Sequence, residues 1–110
     1  VAISAEKMQG MDGWIGPTIP MLPPALSALS SLEKELSVGA IVTQNSQVGN
    51  LFELCGISLP IRSDTTPLPI GLQILCPPGQ DAAALSIGLA IEDLLGPPTQ
   101  PDLAAFDTGR

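Results

Sequence analysis

Apolar and polar positions alternate in short runs along the chain, and proline or glycine ends almost every run. Ala2–Gln9 has helical spacing, with Gly10 as the expected C-cap. Met11–Gly16 reads as a short strand around Trp14 and Ile15, stopped by Pro17, which cannot donate to a ladder. Between Pro17 and Pro24 the prolines 17, 20, 23 and 24 remove any periodicity, but Ile19, Met21 and Leu22 are apolar enough for the loop to pack. Leu26–Leu36 has weak helical spacing, and Ser30 or Ser31 followed by Glu33 or Glu35 resembles an N-cap signal, so a short surface helix is expected.

The second half is more sharply patterned. Val48, Leu51, Phe52 and Cys55 fall at i, i+3, i+4 and i+7, which predicts a helix over Thr43–Cys55 capped by Gly56. Ile57–Pro60 reads as a short strand, Ile61–Thr66 as a polar turn and Leu68–Leu75 as a nearly continuous apolar strand. Strands apolar on both faces belong inside a sheet covered on both sides. After Pro77-Pro78-Gly79, Asp81 is the expected N-cap of a helix over Ala82–Leu95, ended by Gly96-Pro97. The remaining Pro-rich tail, 97–110, is expected to be irregular, with Leu103 and Phe106 as docking points. The order helix, strand, loop, helix, strand, strand, helix predicts an α/β fold.

Composition narrows the function classes. Only 14% of residues are charged, against about 25% in ordinary globular chains. A small free-standing domain has a high surface-to-volume ratio and needs polar surface, so part of this chain is expected to lie against something larger. The start on Val1, with an apolar pattern already running at Ile3, reads as a helix cut partway. Nucleic-acid binding needs cations to neutralise phosphates, and the net charge here is −7. Its acids are scattered (Glu33, Glu35, Glu92, Asp93, Asp102, Asp107) and read as solvated surface. No apolar run could span a bilayer, and no basic stretch precedes an apolar one as in a signal peptide. A cytoplasmic protein is therefore expected.

The chain holds no histidine, which removes a His general base, a Ser-His-Asp triad and a Cys/His zinc site. No cofactor or metal is expected. Its lysines, Lys7 and Lys34, lie in polar stretches and would be protonated at neutral pH. A serine is a nucleophile only beside a group that takes its proton, and none of the nine serines has an evident one. Cys55 and Cys76 end apolar runs and read as buried free thiols, a disulfide between them being the alternative. Asn50, just before the first apolar strand, and Gln73, inside the second, read as buried polar residues. Both would need hydrogen-bond partners, and both could shape a nearby pocket.

Three stretches taken together resemble the C-terminal part of the amidase signature family. They are Asp12-Gly13-Trp14-Ile15-Gly16-Pro17-Thr18; Thr43 and Asn50 ahead of Ile57-Ser58-Leu59-Pro60; and Leu68-Pro69-Ile70-Gly71-Leu72-Gln73 with the helix from Asp81. The likeness runs from about Ile3 to Gly96. Two positions depart from it: Glu53 stands where the family often has Gly, and Cys55 where it often has Pro.

The resemblance implies an α/β/α sandwich with a mixed sheet, of which residues 1–96 would be the C-terminal segment. It implies carboxamide hydrolysis by a Ser-cis-Ser-Lys triad, in which an unprotonated lysine activates a serine through a bridging serine. None of the triad maps onto this chain, and neither Ser58 nor Lys7 takes its place, so no residue here is expected to be catalytic. The expected partners are an N-terminal amidase part carrying the triad and a small-molecule amide, and the resemblance leaves open a homodimer of the whole enzyme. Thr18, Ile19 and Pro20, after the Pro-Thr turn, are the expected substrate-binding residues. Two alternatives stand beside the amidase: the A-type subunit of a glutamine-dependent aminoacyl-tRNA amidotransferase, and an independent acidic interaction module.

Overall fold

The computed structural model describes residues 6–97, 100 and 103–106. Three strands, β1 (Trp14–Pro17), β2 (Cys55–Ile61) and β3 (Ile70–Cys76), form one sheet in the order β1-β3-β2. Both pairings are antiparallel, with Ile15 opposite Ile74 and Ile57 opposite Ile74 across the sheet. The α/β class therefore holds, but the described strands form no mixed sheet. β3 is central, as its continuous apolar run predicts. β2 is an edge strand among the described residues, contrary to the expectation that both apolar strands lie inside the sheet.

The edges explain the prolines. Pro17 pairs with Leu72 and Pro60 with Gly71, each on a strand whose other side carries no described ladder. A missing N–H is tolerated there. Pro17 thus belongs to β1 instead of ending it.

Helix α1 covers Leu32–Leu51. A single 20-residue helix replaces the two short ones that the periodicity predicts. Its N-cap is Ser31, whose Oγ accepts from the Lys34 N–H at 3.4 Å, with Glu33 and Glu35 in the first turn where the helix dipole favours acids. Leu32, Leu36, Ile41 and Leu51 are all exposed, so its apolar residues follow no single face. That is why the pattern conceals its length.

The helix also ends earlier than predicted. Leu54 N–H donates to Gly49 O at 2.9 Å and Glu53 N–H to Asn50 O at 3.4 Å, the paired bonds of a Schellman motif. Its left-handed position is held by Glu53, at φ 55°. Gly56 and Cys55, expected to close this helix, lie in β2 instead.

Helix α2 covers Asp81–Leu95. Its N-cap is Gln80, with Asp81 one residue inside as the first-turn acid. Gly96 closes it at φ 74°, as predicted. Ala84 and Gly88 are its buried positions, and small residues there bring the helix close to the sheet. The core joins Leu59, Ile74, Cys76 and Ala84, with Cys55, Ile57, Ile87 and Ile91 packed around them. Full burial of an Ile or Leu contributes about 1.5–3 kcal/mol.

The opposite sheet face carries Trp14, Gly16, Gln73, Leu75, Ser58 and Gly71, and α1 lies over it. A Cβ on Gly49 would meet Leu75 Cδ2 at 3.4 Å. The sheet thus has a helix on each side.

At the N-terminal end only Glu6–Gln9 of the expected first helix is described; residues 2–5 lie outside the described residues. Met8 is buried, and Gly10 turns the chain at φ 78°. Of the tail, a 3₁₀ turn over Leu103–Phe106 is described, with Leu103 exposed. The expected docking point at Phe106, and Asp102 and Asp107, lie outside the residues whose side chains are described.

Candidate functional site

The site grows from the end of β1. Strand pairing carries Thr18 past Gly71, and its N–H donates to Gly71 O at 2.8 Å. The Thr18 and Ser58 hydroxyls lie 2.5 Å apart, in hydrogen-bond contact. Gly71 makes this possible: a Cβ there would sit 2.6 Å from Thr18 Oγ1 and 2.9 Å from Ser58 Oγ. One residue earlier, Asn45 Nδ2 on α1 donates to Pro17 O at 2.7 Å. Strand, sheet and helix are thus tied together at two consecutive residues.

From this anchor, residues 17–24 run along one wall of a cavity of about 770 Å³. Leu26, Leu29, Val38, Val42, Ile70 and Ser58 also line it. The volume falls within the range of small-molecule sites, and such sites are mostly apolar with a few placed polar groups. Thr18, Ile19 and Pro20 all line it.

Asn50 and Gln73 lie elsewhere, on a smaller cavity of about 220 Å³ between α1 and the sheet, shared with Ser46, Gly49 and Leu54. Asn50 is exposed, not buried as its position before the strand predicts. It lies on the last turn of α1, and the Schellman turn carries the chain away from it. Gln73 is half-buried and donates from Nε2 to Asn45 O at 3.4 Å. Asn45 is therefore the residue that links helix, sheet and loop. Its only sequence signal is an Asn placed mid-helix, where Asn is a poor helix former.

Among the described residues no three His, Cys, Asp or Glu side chains gather to hold a metal ion. Both cysteines are free, although Cys55 and Cys76 face each other across β2 and β3. Cys55 Sγ donates to Pro77 O at 3.2 Å. Burial, with Cys55 and Asp12 nearby, pushes the Cys76 thiol above its usual value. Lys34 Nζ donates to Ser30 Oγ at 3.3 Å on the surface. No helix of the described residues is long and apolar enough to cross a membrane.

Comparison with known proteins brings in amide chemistry. Over 93 residues, 84% of the chain, it is 31% identical to a 2-amino-5-chloromuconic acid deaminase of Comamonas testosteroni, covering 20% of that protein. It is 34% identical to a fatty acid amide hydrolase of Medicago truncatula over 92 residues, 84% of the chain and 15% of the relative. A third relative is the A-type subunit of a glutamyl-tRNA(Gln) amidotransferase of Salinibacter ruber, 36% identical over 88 residues, 78% of the chain and 16% of the relative. All three relatives are named for reactions at C–N bonds. The chain spans only 15–20% of the length of these relatives. No family model and no solved structure matches it.

Proposed function

We propose that the chain is the C-terminal segment of an amidase signature enzyme, and that the complete protein hydrolyses carboxamides. The observation that carries this reading is the similarity across 84% of the chain to a deaminase and a fatty acid amide hydrolase of which it covers about a fifth or less. The Ser-cis-Ser-Lys triad of the family belongs to the part outside these residues. There a lysine would take the proton of the nucleophilic serine through the bridging serine, and backbone N–H groups would hold the developing oxyanion.

This chain supplies sheet strands and the wall of a pocket. Thr18, Ile19 and Pro20 are its substrate-binding residues, set on the apolar cavity where the acyl portion of an amide would lie. Asn50 and Gln73 keep a structural role beside it. The required partner is the N-terminal amidase part, and the working location is the cytoplasm.

The test is amide turnover by the complete protein without a glutaminase partner. Release of ammonia or amine from an apolar carboxamide is the expected result. Absence of turnover on a broad panel of amides and esters would instead favour the second reading, the A-type component of an amidotransferase, which the 36% identity to such a protein supports.

A further inference from the structure

Ser58 is the polar side chain in a strand otherwise built of Cys55, Gly56, Ile57, Leu59, Pro60 and Ile61. Among the described residues its hydroxyl is engaged by Thr18 and not by a basic side chain. Its position matters for another reason. Thr18 carries two ties to the sheet, its N–H to Gly71 O and its hydroxyl to Ser58. From Ile19 to Pro24 no further hydrogen bond is made among the described residues. The segment is stiff all the same, because Pro20, Pro23 and Pro24 fix their own φ and restrict the residues before them. A stiff segment held at one end transmits any displacement of that end along its whole length.

We infer that Ser58 is a positioning residue, which holds Thr18 and through it sets the width of the apolar cavity along residues 17–24. Gly71 is the complementary part, since only the absence of a side chain there leaves room for the two hydroxyls to meet. The chemical class selected is a carboxamide with an extended apolar acyl group. In this the inference rests on the function proposed above. Asn45 supports the same turn from the helix side, through Pro17 O.

The test compares Ser58→Ala, Thr18→Val and Thr18→Ser in the complete protein. A hydrogen bond of ordinary worth corresponds to about tenfold. Ser58→Ala and Thr18→Val should each raise KM for a long-acyl amide by about that factor, with kcat changed less than about twofold. The double variant should be no worse than either single one, because both remove the same contact. Thr18→Ser keeps the hydroxyl but trims a side chain that lines the cavity, so it is read by amide exchange alone. Hydrogen exchange at the Thr18 amide should speed up by about tenfold in Ser58→Ala and not in Thr18→Ser. Additive effects of the two substitutions, or an unchanged Thr18 amide in folded Ser58→Ala, would overturn the inference. Should the complete protein turn over no amide at all, the proposed function falls, and the exchange measurement by itself decides whether Ser58 positions the loop.

Discussion

At the scale of single residues, Glu53 carries the clearest strain. A side chain in the left-handed region costs about 1–2 kcal/mol, while glycine there costs more backbone entropy on folding, about 0.4–1 kcal/mol. Glu53→Gly should therefore stabilise the complete protein by about 0.5–1 kcal/mol, read as a higher urea midpoint at unchanged slope. An unchanged or lower midpoint would show that Glu53 has a compensating contact. The same position explains why the helix end is hidden in the sequence. The Schellman bonds are set by local geometry, and with a glutamate in the left-handed seat no residue type marks the stop. The nearest glycine, Gly56, has the right identity for a C-cap but pairs with Leu75 in the sheet. The importance of Asn45 over Asn50 is hidden because its partners, Pro17 O and Gln73, each lie 28 residues away in the chain.

Cys76 gives a second prediction at this scale. In the unfolded chain a thiol ionises near its usual value of 9.0, whereas burial keeps the folded thiol protonated to higher pH. Between those two values the unfolded state is the one that has lost the proton, so rising pH favours unfolding. The contribution is fully present below 9.0 and is lost as pH climbs through the folded value. The urea midpoint should fall as pH rises past 9.0, and fall less in Cys76→Ala, which lacks the thiol. Equal falls in the two proteins would assign the loss to other groups.

At the scale of elements, the sheet and α2 are legible in the sequence because their signals are local and agree. Pro-Gly before Gln80, small residues at Ala84 and Gly88, and Gly96 at the end all point to one helix seated on apolar strands. The Gly88 contact shows how close the seat is. A Cβ there would meet Ile57 Cδ1 at 3.1 Å. Gly88→Ala should be nearly neutral, because the helix gains about 1 kcal/mol of propensity while the tip of Ile57 gives way. Gly88→Leu has no such outlet and should cost about 1–3 kcal/mol by overpacking. Thermal unfolding of the two variants checks the pair, and a tolerated Gly88→Leu would mean that α2 can lift from β2 without loss. Helix α1 is only half legible because its apolar residues do not share a face. A helix buried along one stripe advertises itself by periodicity, but one with Leu32, Leu36 and Leu51 all facing outward does not. Residues 17–24 lie at the other limit. Their prolines declare a loop, and nothing local declares that Ser58, forty residues later in the chain, holds it.

At the scale of the molecule, both helices leave large apolar side chains exposed. They are Leu32, Leu36 and Leu51 of α1 and Leu85, Leu89 and Leu94 of α2. With 14% charged residues, the chain has little else to keep such faces apart in water. Under the proposed amidase reading, the remaining four-fifths or more of the protein's length is available to cover these faces. Residues 1–110 expressed alone should therefore bind a hydrophobic dye such as ANS, associate with one another and lack a sharp thermal transition, while the complete protein should melt cooperatively without dye binding. A monomeric 110-residue chain with a cooperative melt would mean that the exposed leucines are tolerated, and the independent interaction module would then become the better reading.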